Sequence, residues 1–251
     1  MADASSPEVV FRDIAVVGGG CYGTFYAGQL LRARRQGKVA YRRLLVIDRD
    51  PDCRFARELG AGADRELVVS DWDPFFDRWL GSSPAGAAGA GDAIVPSPLM
   101  PHLMFDWLLR RARARWPGRT VEQRPLDLGP GTPYDAPAPD GTRYVSFADW
   151  ICPVHCIEPG ICPVTRGPRT WEMSEAAEAL VARLGTRRPT AGPVLFVCRH
   201  RVFGVGMFEV SAVQAGDAAV TAAGESGSEI GVVVGTVSAC HGALGLLHLG
   251  P

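Results

Sequence analysis

Hydrophobic residues along this chain fall into short runs separated by polar or glycine-rich turns. Ile14 to Val17 is an unbroken apolar run and predicts a buried strand. A helical pattern follows, with Gly23, Ala27 and Leu30 on one stripe and Leu31 beside them. Leu44-Leu-Val-Ile-Asp48 predicts a second strand ending in an acid, Glu66 to Ser70 a third, and Trp72 to Leu80 a short helix. Pro101 opens another helix in which Leu103, Trp107 and Leu108 share a face, with Arg110, Arg111, Arg113 and Arg115 towards its end, where cations favour the dipole. From Pro117 to Trp150 the pattern gives loops and short strands, Arg143 to Phe147 being the clearest. Ser174 to Leu184 predicts a helix capped by Ser174 and ended near Gly185, followed by a strand over Val194 to Cys198. Glu229 to Thr236 reads as a late buried strand. Val232 to Leu249, the most apolar long stretch, reads as a strand, a turn and a buried helix; Ser238, His241 and His248 interrupt it and argue against a membrane span.

The first strand and helix are joined by glycines at 18, 20 and 23, a G-x-G-x-x-G in the context that a dinucleotide pyrophosphate requires. Gly18 allows a tight exit from the strand, Gly20 lets phosphate oxygens approach the backbone, and Gly23 lets the helix pack closely. Gly19, Cys21 and Tyr22 complete the candidate phosphate loop, where the free N–H groups of the helix carry about half a positive charge. Asp48, at the end of the second strand, is placed to accept hydrogen bonds from ribose hydroxyls. Its charge would repel a 2′-phosphate, so FAD or NAD fits better than NADP, an exclusion that neighbouring Arg49 weakens without removing.

The stretch from Asp13 to Asp50, through Gly18-Gly19-Gly20 and Val46-Ile-Asp-Arg-Asp50, resembles the Rossmann-like FAD/NAD(P)-binding superfamily, its flavoprotein branch most of all. That resemblance implies an α/β fold, a Rossmann-like mostly parallel sheet with helices on both faces, and with it nucleotide binding and redox chemistry. On this reading residues 8–80 form a dinucleotide-binding βαβ unit and 81–93 a flexible loop rich in alanine and glycine. Residues 94–251 complete the α/β fold and carry an irregular cysteine-rich insertion at 149–172.

Composition narrows the function classes. At 251 residues, with 47% hydrophobic and 21% charged residues, the chain can bury a large core. A net charge of -1 offers no field for gathering nucleic acid or anionic membrane. The start Met1-Ala-Asp-Ala-Ser-Ser-Pro7 has neither a basic start nor an apolar run, so a cytoplasmic protein is expected. Seven cysteines, an odd number, then point to reduced thiols or metal ligands in place of a disulfide framework.

Three of those thiols, Cys152, Cys156 and Cys162, lie with His155 in the segment Asp149 to Thr165. The C-x3-C-x5-C spacing matches neither a ferredoxin run nor a paired structural zinc motif, so a metal site here needs completion from elsewhere. Cys198, His200, Cys240 and His241, just beyond two expected strands, are the available completers. Three alternatives stand open: an iron–sulfur or zinc site on Cys152, Cys156, Cys162, Cys198, Cys240 and His241; a redox dithiol; or thiols that only pack a loop. The dithiol reading resembles the pyridine nucleotide-disulfide oxidoreductases, from which the three residues between Cys152 and Cys156 depart. Arg166 and Arg169 offer an anion clamp or partners for Glu158 and Glu172; His102 and His248 have no evident partners. The expectation is a dinucleotide-binding oxidoreductase-like protein acting on a small molecule or redox partner, with Cys152, Cys156 and Cys162 as its electron-carrying or metal-binding thiols. The alternative is a non-catalytic nucleotide-sensing module held by structural zinc.

Overall fold

A computed structural model describes residues 9–82, 91–153 and 156–251, apart from the side chain of Ser82. Most of the expected loop at 81–93, the segment Met1 to Pro7 and His155 lie outside the described residues. The chain runs β1 (Val9–Val10), β2 (Asp13–Val17), α1 (Cys21–Arg35), β3 (Val39–Ala40), β4 (Arg43–Asp48), α2 (Arg54–Glu58), β5 (Arg65–Val69), α3 (Trp72–Ser82) and β6 (Ala93–Val95). It continues through α4 (Leu103–Arg115), β7 (Val121–Arg124), β8 (Tyr134–Pro137), β9 (Arg143–Ser146), α5 (Met173–Gly185) and β10 (Thr190–Val197). Last come β11 (Arg199–Val202), β12 (Val205–Glu209), α6 (Val210–Gly224), β13 (Ile230–Val237) and β14 (His241–Leu249).

These elements form two compact units. The first comprises residues 1–99, 154–157 and 199–211; the second comprises 100–153, 158–198 and 212–251. The described residues are therefore mixed α/β with two six-stranded sheets and a two-stranded ribbon, where one mostly parallel sheet was expected.

In the first unit the strand order is β11-β12-β6-β2-β4-β5. β2 pairs in parallel with β4 and β6, and β4 with β5, whereas β12 joins β6 and β11 joins β12 antiparallel. The predicted small-residue stripe of α1 packs as expected: Ala27 and Leu30 are fully buried against Ile14, Val16, Leu44 and Val46. The opposite sheet face, Ala15, Leu45, Ile47 and Ile94, is buried too, with α3 lying against β4. Burial on both faces is why β2 and β4 read as continuous apolar runs.

At the N-terminal end of β2 a buried charge network ties the unit together. Asp13, 1% exposed, accepts bidentate bonds from both Arg42 and Arg43, and its N–H donates to Asp92, which is in turn paired with Arg12. Burial alone would push the Asp13 carboxyl up; the two guanidiniums more than offset that and hold it below its usual range.

In the second unit the order is β10-β13-β14-β9-β8, with β7 also pairing with β14. Only β10 and β13 are parallel; β13 and β14 form a hairpin in full register from Ile230↔Leu249 to Val237↔Gly242. The buried helix expected after the turn at 238–241 is thus a strand. β14 has α4 against it, with Gly245 under the Phe105 ring, while Leu244 and Leu246 join the α5 core around Met173, Ala177 and Leu180. A strand covered on both faces has no alternation to betray it. Two helix starts also shift. α5 begins at Met173 with Glu172 as N-cap, so Ser174 sits inside its first turn, and α4 begins at Leu103 with His102 as N-cap. The hydrophobic pattern did not anticipate β11, β12 or α6; α6 is built mostly of small residues and packs closely, Gly216 against Val194 and Phe196. Among the described residues no helix is long and apolar enough to cross a membrane.

The Asp13 network gives a pH prediction. An unfolded aspartate titrates near about 3.9, and the folded value is lower, so its stabilisation is complete above about pH 4 and is lost as pH falls through the folded value. Asp13→Asn should cost ~2–3 kcal/mol in urea unfolding at pH 7, the low end for a broken buried pair because both arginines are half exposed. The variant should also lose less stability than the parent between about pH 4 and pH 2.

Candidate functional site

The glycine turn leaves the C-terminal end of β2. Gly18 has φ +84°, a left-handed conformation that side chains disfavour, and its N–H donates to Ile47 O at 2.8 Å. A β carbon on Gly23 would stand 1.7 Å from Gly18 O, so α1 can approach the turn only because residue 23 lacks one. At Gly20, by contrast, a β carbon would meet nothing within 4 Å among the described residues. Gly20 is also the N-cap of α1; no side chain caps the helix and no acid lies in its first turn. First-turn N–H groups have no acceptor within their own helix, so this end presents donors and the positive end of the dipole. Cys21 is the first residue of α1 and exposed, its sulfur accepting from Arg54 at 3.5 Å, and Tyr22 is half exposed and stacks on Tyr26.

Asp48 ends β4 beside this turn. Its Oδ2 accepts the Gly19 N–H at 2.6 Å and its Oδ1 the Asp50 N–H at 2.9 Å. Each oxygen keeps a further acceptor site, so ribose hydroxyls can still donate to it, but the Gly19 N–H is committed to the carboxylate and not to phosphate. Phe55 N–H donates to Gly19 O at 2.8 Å and fixes the turn from α2. Arg49 is exposed. A cavity of about 550 Å³ on the same unit, lined by Gln29, Arg32, Lys38, Arg201 and Phe203 among others, includes none of the glycine-turn residues.

The cysteine segment is divided between the units: Cys156 belongs to the first, Cys152, Cys162, Cys198, Cys240 and His241 to the second. All seven cysteines are free thiols. In the first unit, the Cys156 carbonyl accepts from His200 Nδ1. Cys162 starts a tight turn, its N–H donating to Gly167 O and its carbonyl accepting from Arg166, and hydrogen bonds from the Thr165 N–H and hydroxyl lower its thiol pKa. Arg169 pairs with Glu172 at 2.6 Å, one of the two partners expected for it.

Glu158 holds the turn between β13 and β14. Its carboxylate accepts from Ser238 Oγ at 2.6 Å, Ala239 N at 3.0 Å and Cys240 N at 3.2 Å, and its own backbone takes φ +51° to do so. Desolvation first, and then this charge, push Cys198 up to about 12. Cys240 is raised to about 11, by burial and the Glu158 charge against a bond from Trp171 Nε1 to its sulfur at 3.2 Å.

His241, the first residue of β14, faces Cys152 with Nε2 at 3.8 Å from the sulfur and Ser146 with Nδ1 at 2.9 Å from Oγ. The strand register makes this meeting: Ser146 of β9 is directly opposite His241. Of the expected thiol set, the structure thus brings Cys152 together with His241 and leaves Cys162 in its own turn. Among the described residues no group of three or more His, Cys, Asp or Glu side chains is placed to hold a metal ion. Ser146, Glu158 as a turn anchor and Trp171 were missed by sequence reasoning; they act through pairings 69 to 95 residues apart that no local spacing encodes. His102 and His248 do have acidic neighbours, Asp106 and Glu229, each at 3.7 Å.

Residues 104–250 match the family AF_1314_C, described as "Uncharacterized protein, C-terminal domain", and the chain belongs to that family. The matched span begins within α4 and takes in Cys152, Cys162, Cys198, Cys240 and His241, but not the glycine turn. No curated protein and no solved structure matches the chain.

The two glycines bordering the helix start should respond oppositely to a methyl group. Gly23→Ala should cost at least ~2 kcal/mol in urea unfolding, because a backbone carbonyl must move, whereas Gly20→Ala, which meets no clash and loses only N-cap preference, should cost no more than ~1 kcal/mol.

Proposed function

We propose that the chain binds a dinucleotide, FAD or NAD, through a Rossmann-like N-terminal unit, and that it is an oxidoreductase. The observation that carries the reading is the pairing of a closed and an open glycine: Gly23 gives up its side chain to bring α1 onto the turn, while Gly20 leaves clear space at the uncapped helix end. A cradle of backbone donors with a vacant Cβ position suits a pyrophosphate. Sheet order supports it. β2 lies between β4 and β6, so successive parallel strands are laid down on one side of β2 and then on the other, and the glycine turn is at the C-terminal end of that central strand. Ligands of open α/β sheets collect at such switch points.

In this reading the first turn of α1 holds the two phosphates and Asp48 accepts from the ribose, its charge selecting against a 2′-phosphate. The bound dinucleotide would supply hydride or electron transfer. Gly18 and the Phe55 bond to Gly19 keep the turn rigid, so little ordering cost falls on binding.

Gly20→Asp separates binding from folding. Aspartate is a favourable N-cap, so the melting temperature should hold or rise, whereas its charge at the phosphate position should weaken FAD or NAD binding at least tenfold in calorimetric titration of the full chain. Unchanged affinity in the variant, or no binding of either dinucleotide by the parent, would remove the proposal.

A further inference from the structure

We propose that Cys152 is a nucleophilic thiol, activated by His241, whose substrate is an organic disulfide; this stands apart from the nucleotide cradle and does not depend on it. The geometry carries the argument. Ser146 Oγ lies 2.8 Å from the Ala148 carbonyl, an acceptor only, so the serine hydroxyl hydrogen goes there. The same oxygen accepts the Ala148 N–H at 2.8 Å and, having no hydrogen left to give, must also accept from His241 Nδ1 at 2.9 Å. The imidazole proton is therefore assigned to Nδ1, and the lone pair of Nε2 faces the Cys152 thiol at 3.8 Å. Nucleophile, base and a third group orienting the base form the arrangement that activates a thiol.

Cys152 is also partly exposed, whereas Cys240 and Cys162 are buried. The donors of the adjoining turn favour one substrate class. Acyl transfer needs N–H or O–H groups free for a developing oxyanion, and among the described residues the three donors of the 238–240 turn, Ser238 Oγ, Ala239 N and Cys240 N, are taken by Glu158. Attack on a disulfide develops charge on sulfur and needs no such hole. In the step, His241 Nε2 takes the thiol proton and the Cys152 sulfur attacks one sulfur of R–S–S–R. The S–S bond breaks, Cys152–S–S–R forms, and the departing RS⁻ takes the proton from His241 and leaves as RSH. Cys152 is oxidised, one R–S group is reduced, and no further reagent is consumed.

Glutathione disulfide is the probe. The reduced full chain is mixed with it at pH 7, and mixed disulfides are followed at each cysteine by peptide mass mapping. Cys152 should react fastest, ahead of the exposed Cys21 and of Cys162, whose thiolate is favoured by Thr165 but not by a base. His241→Ala and His241→Gln should each slow Cys152 roughly tenfold, the gain expected when an ordinary thiol becomes largely thiolate at neutral pH, and leave Cys21 and Cys162 unchanged. Ser146→Ala should slow Cys152 a few-fold, with Ser146→Thr restoring it because the hydroxyl is kept. Parent Cys152 reacting no faster than Cys21 or Cys162 would overturn the proposal whatever the variants do. So would a Cys152 rate within twofold of the parent in both His241 variants.

Discussion

The contact between residue 23 and the carbonyl of residue 18 is the constraint on which the N-terminal unit turns. A helix that follows its strand after three glycines can be drawn onto the sheet only if its first turn tolerates a backbone oxygen where a side chain would begin. Once it does, Ala27 and Leu30 reach β2 and β4, and the end of α1 is fixed beside the end of β4. Asp48 and Phe55 then tie the turn from two further directions through Gly19. The bond to a carboxylate, about 1.5–3 kcal/mol net, is the stronger of the two. The same ties that shape the turn also limit it, because the Gly19 N–H is committed to Asp48 and the first turn of α1 is the part that still presents backbone donors.

The second unit is organised by a carboxylate in a comparable way. Glu158 collects three donors of the 238–241 turn and accepts a left-handed backbone to reach them, a conformation costing about 1–3 kcal/mol that charge-assisted bonds offset. With the turn held, β13 and β14 pair in continuous register and β9 is set against β14. His241 therefore arrives opposite Ser146 by strand register.

Elements with a simple apolar pattern were legible in the sequence. β2, β4, β5 and the helices α1, α3, α4 and α5 all follow from apolar runs or stripes, and the glycine roles at 18 and 23 follow from their spacing. β14 was not legible as a strand, because both its faces are covered and Gly242 and Gly245 replace the alternation with close packing, Gly245 against Phe105. α6 escaped because a run such as Ala-Ala-Val-Thr-Ala-Ala presents no contrast between its faces. In the candidate sites, local spacing nominated Gly20 and Asp48, whereas the company kept by each cysteine depended on pairing between distant strands.

The thiols of the second unit consequently end in different chemical states. Cys198 and Cys240 are driven up by burial and by Glu158, so at neutral pH they are protonated and poor nucleophiles. Cys162 is pulled down by Thr165, but it is buried in its own turn. Cys152 has the His241 imidazole nitrogen against its sulfur and some exposure to solvent. A spacing motif treats such cysteines as equivalents, yet desolvation, donated hydrogen bonds and a neighbouring base act on each separately, and it is these that decide which sulfur can attack.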